Sequence, residues 1–390
     1  MKVGVITSYV SRNAGGLYFS VRHLSRTVQS LGYRVQVYAY NDANTESDIL
    51  EWSDLDVRLM NARNVCGVHF GESAFDLLKK YDADVSHVHG LWLMSSKDHY
   101  RWYKESRKPY LIAPRGMLDP WALNNSSWKK KVMGALFENM HLHSAGCMHA
   151  LCDSEMQSMR AYGLKSPVAV IPNGIELPDL NVQVGPTIWP KEDRQALLFI
   201  GRIHPKKGLP LLLDAWSELK KENPRYAREW FLAIAGWSEV GHLDELKQQS
   251  EKLGIQHDVR FLGSLYGEEK DVALRFASAY VLPSYSEGIP MSVLEAWSYK
   301  LPSLITPQCN IPDGFTANAT LRINTTVSSI RDGLRDLFTM PASDRTRLGE
   351  RACNLVSTQF AWSEIGKQMT GVYDWMLGGG EAPECVNFYE

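Results

Sequence analysis

Two glutamates flank a Gly-x-Pro step in the stretch SYSEGIPMSVLEAWSYK, residues 284–300. Pro290 has no backbone N–H and a fixed φ that suits the first turn of a helix, and Gly288 permits a tight bend before it. The preceding apolar run, AYVLPS, is typical of a buried strand. The pattern predicts a strand, a tight loop and a helix, with Glu287 in the loop and Glu295 inside the helix.

The start of this predicted helix offers an anion site. The first amides of a helix lack internal acceptors, so those of Ile289, Met291 and Ser292 would face a ligand above the strand end. If the segment is helical, Glu287 and Glu295 are separated by about 12 Å of rise, more than the roughly 5–9.5 Å between the paired carboxylates of glycosidases. We therefore expect two separate contacts to hydroxyl groups and a ligand that carries both phosphate and sugar. The alternative is a capping glutamate and a surface glutamate.

A second strand-end loop carries cations. In FIGRIHPKKGLPLLLDAW, Gly201 turns the chain after a strand, Arg202 and Lys207 lie in the loop, and Gly208 leads into a helix. Arginine offers a planar fork and lysine a point charge, so together they can neutralise a diphosphate. Solvated loop charges are the alternative, and the glycine-flanked position at a strand end favours a ligand.

Three further strand-end loops lie in the first half of the chain. Gly15 and Gly16 follow the first strand, where the backbone can approach a phosphate, although the full G-x-G-x-x-G pattern is missing and a simple tight turn is the alternative. His89 precedes a glycine at the end of VSHVH and is predicted to face a ligand, whereas His87 is expected to be packed and hydrogen-bonded. Arg115 ends another strand and is expected to face the same cleft.

The elements that position these loops alternate between short apolar strands and amphipathic helices. The strand candidates are VGVIT, VQVYAY, VSHVH, YLIAP, CMHAL and VAVIP in the first half, and ALLFIG, FLAIAG, VRFLG, AYVLP and PSLIT in the second. This alternation predicts an α/β fold with two Rossmann-like domains, each a parallel sheet covered on both faces. Because such sheets bind ligands at the carboxyl ends of their strands, we expect the domains to face each other across a deep cleft.

The periodicity stops in PNGIELPDLNVQVGPTIWPKED, which is typical of a linker. We expect an N-terminal domain over residues 1–178 and a C-terminal domain over residues 179–359. A last helix over residues 360–376 would return to the first domain, and residues 377–390 would form a mobile tail.

Length and composition favour a two-domain enzyme inside the cell. The chain has 390 residues, a net charge of −2 that gives no reason to expect nucleic acid, and six cysteines without a C-x-x-C pair. No D-x-D lies in a strand-end loop, so no catalytic metal is expected. Without a signal-peptide core or an apolar run of about 18 residues, a cytoplasmic location is expected.

One helix candidate, NSSWKKKVMGALFENMH, has a cationic start at Trp128 and Lys129–Lys131. One face of it is apolar and comprises Val132, Ala135, Leu136 and Met140. Its start could touch an anionic membrane surface, which would place the protein peripherally at the inner membrane face. A solvated helix start is the alternative.

Together these pieces resemble the retaining GT-B glycosyltransferases of family 4. The resemblance covers most of the chain: the glycine loop, HVHG, PRGML, VIPNGIEL, GRIHPKKG, PSYSEGIPMSVLEAWS with its E-x7-E spacing, and the terminal FAWSEI. The E-x7-E block beside the Arg/Lys loop is the more specific part.

The resemblance implies a nucleotide-sugar donor, by family habit a UDP-sugar, held mainly by the second domain. It also implies a saccharide or lipid-linked saccharide acceptor, such as a growing cell-surface polysaccharide, and no cofactor or metal. The implied donor contacts are ribose hydroxyls at Glu295, sugar hydroxyls at Glu287, the diphosphate at Arg202, Lys207, Gly16 and the segment Gly288, Ile289, Pro290 and Met291, and the base near Gly236 and Leu265. His89 matches the family histidine near the sugar and acceptor.

Such enzymes are thought to retain anomeric configuration without a well-placed protein nucleophile. Stabilising the leaving diphosphate would then be the main catalytic task. One departure concerns Arg115 and Gly116, because many relatives have His-Gly there. The arginine suggests an anionic group on the acceptor or the donor.

Three other functions fit parts of the pattern. A GT-B nucleotide-sugar epimerase uses a similar cleft without an acceptor, and a non-catalytic sugar-nucleotide-binding protein would need fewer of these charges. A nicotinamide enzyme is disfavoured by the incomplete glycine pattern and by the lack of an acidic residue that ends VQVYAY.

Overall fold

The computed structural model describes residues 1–65, 68–124, 127–182, 185, 193–238 and 241–389. The chain forms two compact units, one of Met1–Gly174 with Trp362–Glu390 and one of Ile175–Ala361. The second unit begins and ends at one place, since Ile175 pairs with Ala361 and its N–H donates to the Phe360 carbonyl at 2.7 Å. The sequence placed this boundary after residue 178.

The first unit is built on a sheet whose strands are mostly buried on both faces. Its strands are β1 (Lys2–Tyr9), β2 (Arg34–Tyr40), β3 (Asp56–Met60), β6 (Val85–His89), β7 (Tyr110–Ala113), β8 (Cys147–Ala150), β9 (Val168–Val170) and β16 (Val386–Asn387), beside a separate antiparallel hairpin of β4 (Ala62–Val65) and β5 (Val68–Gly71). Within the described residues the sheet order is β16-β9-β8-β7-β6-β1-β2-β3, parallel except for β16.

Helices cover this sheet and close its two apolar cores. They are α1 (Gly16–Ser30), α2 (Thr45–Asp48), α3 (Ala74–Tyr81), α4 (Met94–Ser106), α5 (Pro120–Asn124), α6 (Ser127–Met133), α7 (Asn139–His143), α8 (Asp153–Ala161) and α17 (Trp362–Met376), with a π-helical turn over Gly134–Glu138. Helix α17 packs against α1, where Gly366 lies so close to Thr27 that a Cβ would stand 2.3 Å from its methyl carbon.

The carboxyl terminus differs from the expected mobile tail. Strand β16 pairs antiparallel with β9, Val386 is buried, and the Val170 N–H donates to the Cys385 carbonyl at 2.8 Å. The pairing satisfies the outer edge of β9, which would otherwise present unpaired backbone groups. The Gly-rich composition before β16 hid this strand from the sequence pattern.

The second unit has a parallel sheet throughout its described residues. Its strands are β10 (Gln195–Ile200), β11 (Trp230–Ala235), β12 (Val259–Gly263), β13 (Ala279–Leu282), β14 (Ser303–Ile305) and β15 (Leu321–Arg322), in the order β12-β11-β10-β13-β14-β15. Its helices are α9 (Leu209–Glu222), α10 (Arg225–Glu229), α11 (His242–Lys252), α12 (Gly267–Phe276), α13 (Met291–Ser298), α14 (Pro312–Thr316), α15 (Val327–Thr339) and α16 (Ala342–Leu355).

The predicted fold class, two parallel-sheet α/β domains of Rossmann type, is confirmed. Both sheets have the doubly wound order, in which the first strand of the unit lies in the middle and the order reverses beside it. In the second sheet, strands such as β11 and β13 are apolar and buried along their length because helices cover both of their faces. No helix in the described ranges combines the length and the apolar content needed to cross a membrane.

Candidate active site

The strand order of the second sheet reverses between β10 and β13. The loop after β10 carries Arg202 and Lys207, and the loop after β13 carries Glu287. Parallel sheets open a crevice at such a reversal because the two adjoining connections leave to opposite faces. The topology therefore brings the predicted cations and the predicted glutamate to one place.

Lys207 and Glu287 form an ion pair there, with 2.6 Å between Nζ and Oε1. Their side chains are only 12% and 8% exposed. The hydroxyl of Ser284 donates to the same carboxylate oxygen at 2.6 Å. Neither charge could remain so buried alone, because desolvation would be uncompensated. Among the described residues no group bonds Oε2 of Glu287.

The backbone around Glu287 is anchored by the loop after β14. The Glu287 N–H donates to the Gln308 carbonyl at 2.9 Å, and Asn310 Nδ2 donates to the Glu287 carbonyl at 2.6 Å. Asn310 has a left-handed backbone with φ of 54°. These contacts hold the acidic loop from both sides of the residue. Ser284 and Asn310 were missed by the sequence analysis because their partners come from other elements.

Two glycines let these loops approach one another closely. A Cβ on Gly208 would lie 2.0 Å from the Pro283 carbonyl oxygen, and one on Gly236 would lie 1.8 Å from the Gly201 carbonyl oxygen. Both residues also have positive φ, of 72° and 149°. Only glycine combines this backbone with this spacing. Gly208 thereby fixes the Lys207 loop against the end of β13.

Glu295 lies inside α13 and pairs with a second lysine. Lys270 Nζ, from α12, is 2.7 Å from Glu295 Oε1, and the two side chains are 34% and 21% exposed. Lys270 was missed because nothing in the local sequence of α12 marks it. The pair holds the carboxylate while leaving its surface accessible.

Helix α13 begins at Met291, one residue after the start predicted at Pro290. Among the described residues, no acceptor bonds the backbone amides of Gly288, Ile289 and Met291. The buried hydroxyl of Tyr280 lies 2.7 Å from Ser292 Oγ and ties this first turn to β13. Two of the predicted donors, the amides of Ile289 and Met291, are thus unpaired at the helix start within the described residues.

The remaining predicted donor residues lie on neighbouring strand ends. The guanidinium carbon of Arg202 lies 5.6 Å from the ring centroid of Trp237, which follows Gly236 at the end of β11. Leu265 follows β12 and packs, partly buried, against the core of the second unit. The exposed planar ring of Trp237 lies next to Gly236, and binding of the base near Gly236 and Leu265 stays a prediction.

The first sheet reverses its order between β1 and β6. Gly15, with φ of 58°, and Gly16, the first residue of α1, follow β1. His87 and His89 lie at the end of β6 with ring centroids 4.1 Å apart. As expected, His87 is packed and hydrogen-bonded, since its Nδ1 lies 2.8 Å from the Tyr373 hydroxyl.

Arg115 is half-buried and its guanidinium contacts two side chains of the first unit, and its predicted contact with an anionic group of a ligand stays a prediction. Its Nη2 lies 3.0 Å from His89 Nδ1, and its Nη1 donates to Asn173 Oδ1 at 2.9 Å. Burial lowers the pKa of the guanidinium to about 10. These two partners lie 26 and 58 residues away in the chain, so a local motif could not reveal them.

The apolar face of the helix candidate at residues 128–143 is exposed. The predicted helix is present as α6, the π-helical turn and α7 without a break, and Val132, Leu136 and Met140 are 50%, 65% and 46% exposed. Ala135 is exposed as well. The side chains of Trp128 and Lys129 lie outside the described residues. The periodicity predicted the amphipathic face correctly and could not say whether it meets a core.

Comparison with known proteins now gives the family. A family model for glycosyl transferases group 1 matches residues 187–354, and one for a glycosyl transferase 4-like domain matches residues 15–174. This chain is a GT-B glycosyltransferase. It belongs to the family 4 type of glycosyltransferase predicted from its motifs, and it is an enzyme of the hexosyltransferase class.

Individual relatives have low sequence identity to this chain, but the matches extend over most of it. Mannosylfructose-phosphate synthase of Agrobacterium fabrum is 24% identical over 339 residues, covering 75% of this chain and 71% of that protein. D-inositol 3-phosphate glycosyltransferase of Kineococcus radiotolerans is 24% identical over 400 residues, covering 93% and 90%. The fold is shared with Anabaena Alr3699/HepE, solved in complex with UDP and glucose, at a TM-score of 0.72, 14% identity and coverage of 96% and 100%.

We expect Gly208→Ala to destabilise the enzyme far more than Gly254→Ala. Both glycines have φ near 70°, but a Cβ at Gly254 meets no atom within 4 Å. The control should lose about 1 kcal/mol from left-handed strain alone, whereas the backbone clash at Gly208 should cost more than about 3 kcal/mol. Urea unfolding of the two variants measures this. Equal losses would contradict the close approach at Pro283.

Proposed function

We propose that this glycosyltransferase moves a hexosyl group from a UDP-sugar to a saccharide or lipid-linked saccharide acceptor, with retention of configuration and without a divalent metal. One observation supports this proposal most directly. The Lys207–Glu287 pair and backbone amides that have no partner within the described residues lie together where the strand order of the second sheet reverses. That arrangement offers cations and N–H donors to a diphosphate, and carboxylates to hydroxyls, within one crevice.

The diphosphate is held by Lys207, Arg202 and the start of α13. The Lys207 ammonium has three donors, of which Glu287 takes one, so phosphoryl oxygens can take the others. The amides of Ile289 and Met291 add fixed partial positive charge at the N-terminal start of α13. As the bond to the sugar breaks, negative charge grows on the leaving phosphate and these groups are already placed to stabilise it.

Metal independence rests on those same groups. Among the residues that the structure describes, no group of three or more His, Cys, Asp or Glu side chains is arranged to hold a metal ion. The positive charge that a metal would supply at a leaving diphosphate is supplied instead by Arg202, Lys207 and the helix start.

The glutamates bind the sugar portions of the donor. Glu287 keeps one carboxylate oxygen unbonded within the described residues, beside the lysine that meets the phosphate, so it suits the hydroxyls of the transferred hexose. Glu295 is farther along α13 and suits the ribose. The choice of UDP as the nucleotide is supported by the Anabaena protein of the same fold. That protein was solved with UDP, with UDP and glucose, and with UDP-glucose.

Donor titration by calorimetry tests these assignments. We expect Glu295→Gln to weaken both UDP and UDP-glucose about tenfold, because the ribose is common to both. Glu287→Gln should weaken UDP-glucose about tenfold relative to UDP, because only the sugar contact is lost and Lys207 gains free charge. Glu268→Gln, an exposed glutamate at the start of α12, is the control. Native affinity in both site variants would refute this site.

Turnover assays test the reaction class. With a UDP-sugar and a saccharide acceptor, UDP release should persist in excess EDTA and fall by about 100-fold or more in Lys207→Ala and Arg202→Ala. Proton NMR of the product should show the anomeric configuration of the donor. Loss of activity in EDTA would contradict metal independence. Isomerised sugar nucleotide without UDP release would support the epimerase instead.

We also propose a peripheral contact with the inner membrane face. The exposed residues Val132, Leu136 and Met140 recur every four positions, and Lys131 is exposed beside them. An exposed apolar stripe next to a cation matches the boundary of an anionic lipid surface. This contact would bring a lipid-linked acceptor to the first unit.

Sedimentation with vesicles tests the membrane contact. The enzyme should bind phosphatidylglycerol vesicles and release from them at high salt, because exposed charges are screened. Leu136→Ser should reduce binding about tenfold through lost apolar burial. Leu50→Ser changes a leucine that is 75% exposed in the same unit and away from this stripe, and it should bind as the wild type does. Equal losses in the two variants would contradict the assignment.

A further inference from the structure

A cavity of about 380 Å³ lies in the second unit beside the edge strand β15. One wall is a face of α16, where Asp344, Arg347, Leu348 and Arg351 follow one another at helical spacing. The opposite wall comes from the segment 318–321, which leads into β15. The volume lies within the range of small-molecule sites. The cavity shares no lining residue with the candidate active site.

The polar part of this cavity carries positive charge. Nε of Arg351 donates to the Asn318 carbonyl at 2.5 Å, which holds the guanidinium against the opposite wall. The two outer nitrogens of Arg351 bond no group among the described residues. Arg347 lines the same cavity and pairs with Asp344, so it adds a partly neutralised charge. A guanidinium with both outer nitrogens available presents a planar fork that matches two oxygens of a phosphate.

Apolar side chains line the rest of the cavity. They are Leu321 of β15, Met340 just before α16, and Leu348, which is buried. Inorganic phosphate would contact the arginines and leave this apolar part unfilled. A phosphate carried by a sugar ring would meet both parts, because the C–H faces of the ring are apolar and its hydroxyls can bond polar groups at the rim. The lining therefore favours a phosphorylated sugar over a bare anion.

Both walls of the cavity are tied to α13, whose start offers the unpaired amides of the candidate active site. The hydroxyls of Thr320 and Ser303 lie 2.8 Å apart, and Nε1 of Trp297, in α13, donates to Ser303 Oγ at 2.7 Å. On the other wall, a Cβ on Gly349 of α16 would stand 1.9 Å from the Lys300 carbonyl oxygen at the end of α13. Because these contacts are buried and closely packed, a shift of either wall displaces α13.

We propose that this cavity binds a phosphorylated sugar as an effector, and that its occupancy changes the affinity of the candidate active site for the donor. Arg351 and Arg347 hold the phosphate, and Met340 and Leu348 contact the sugar ring. The binding step depends on the cavity alone, whereas the effect on the donor rests on the proposed function. The coupling is reciprocal, so the donor changes the affinity for the effector by the same factor.

Calorimetry of the full chain without nucleotide tests the binding step, with glucose 6-phosphate, inorganic phosphate and glucose as probes. We expect saturable binding of glucose 6-phosphate, weaker binding of phosphate and no binding of glucose. Arg351→Met should weaken glucose 6-phosphate about tenfold, because hydrogen bonds to a charged group are lost. Arg351→Lys keeps the charge without the fork and should be intermediate. Arg228→Met is the control, since Arg228 is exposed and does not line the cavity.

Three results of this titration would overturn the site. They are no binding of glucose 6-phosphate, equal binding in the wild type and in Arg351→Met, and loss of binding in Lys207→Ala, which would place the phosphate in the candidate active site instead. Phosphate that binds as tightly as glucose 6-phosphate would refute the sugar contact.

UDP titrations with and without saturating glucose 6-phosphate test the effector role. We expect the Kd for UDP to change by about fivefold or more in the wild type and in Arg228→Met. Arg351→Met should keep the native Kd for UDP and show no such change. Thr320→Val removes the hydroxyl that meets Ser303, so it should bind glucose 6-phosphate with a smaller effect on UDP.

A Kd for UDP that glucose 6-phosphate leaves unchanged in the wild type would overturn the effector role. If Thr320→Val does not fold, the comparison of the wild type with Arg351→Met still decides. If the wild type binds neither UDP nor UDP-glucose, the proposed function fails and the effector role with it, while the calorimetric result for the cavity stands independently.

Discussion

A lysine ammonium and a glutamate carboxylate, 2.6 Å apart where the strand order of the second sheet reverses, set the charge balance of the candidate site. Both side chains are nearly buried, so each makes the other tolerable before any ligand arrives. The pair is balanced but not saturated, since the ammonium keeps further donors and the carboxylate keeps an oxygen. The proposed diphosphate and sugar hydroxyl would therefore enter without the protein having to reorganise its charges.

In the first unit, the buried polar groups around His87 are paired by hydrogen bonds rather than by an ion pair. Its Tyr373–His87–His149 chain is neutral, and each proton has one possible place because the chain ends on a carbonyl. Arg115 places a positive charge beside this chain. Burial lowers the pKa of its guanidinium, and the nearby buried carboxylate of Glu155 raises it. Here polar atoms fix orientation, whereas in the proposed function those of the second unit stabilise charge that develops during the reaction.

Much of the fold follows from local patterns. Continuous apolar runs such as those of β11 and β13 coincide with the predicted strands because a strand covered on both faces needs apolar side chains throughout. Strand β3 was missed because it is an edge strand with exposed Asp56 and half-buried neighbours, and β16 because it is two residues long. The exposed face at Val132 shows a related limit. Periodicity defines the faces of a helix, but its environment is set by the rest of the fold.

The sequence by itself determined the fold class, the family and the loops that carry the site, because glycine, proline and charge at strand ends act through local backbone geometry. Only the tertiary structure decided the partners: Lys270 for Glu295, Ser284 for Glu287, and His89 for Arg115. The reason is physical. A side chain's conformational preference is local, but its protonation state and orientation depend on groups brought near it by folding, and the distance to those groups along the chain leaves no local signal.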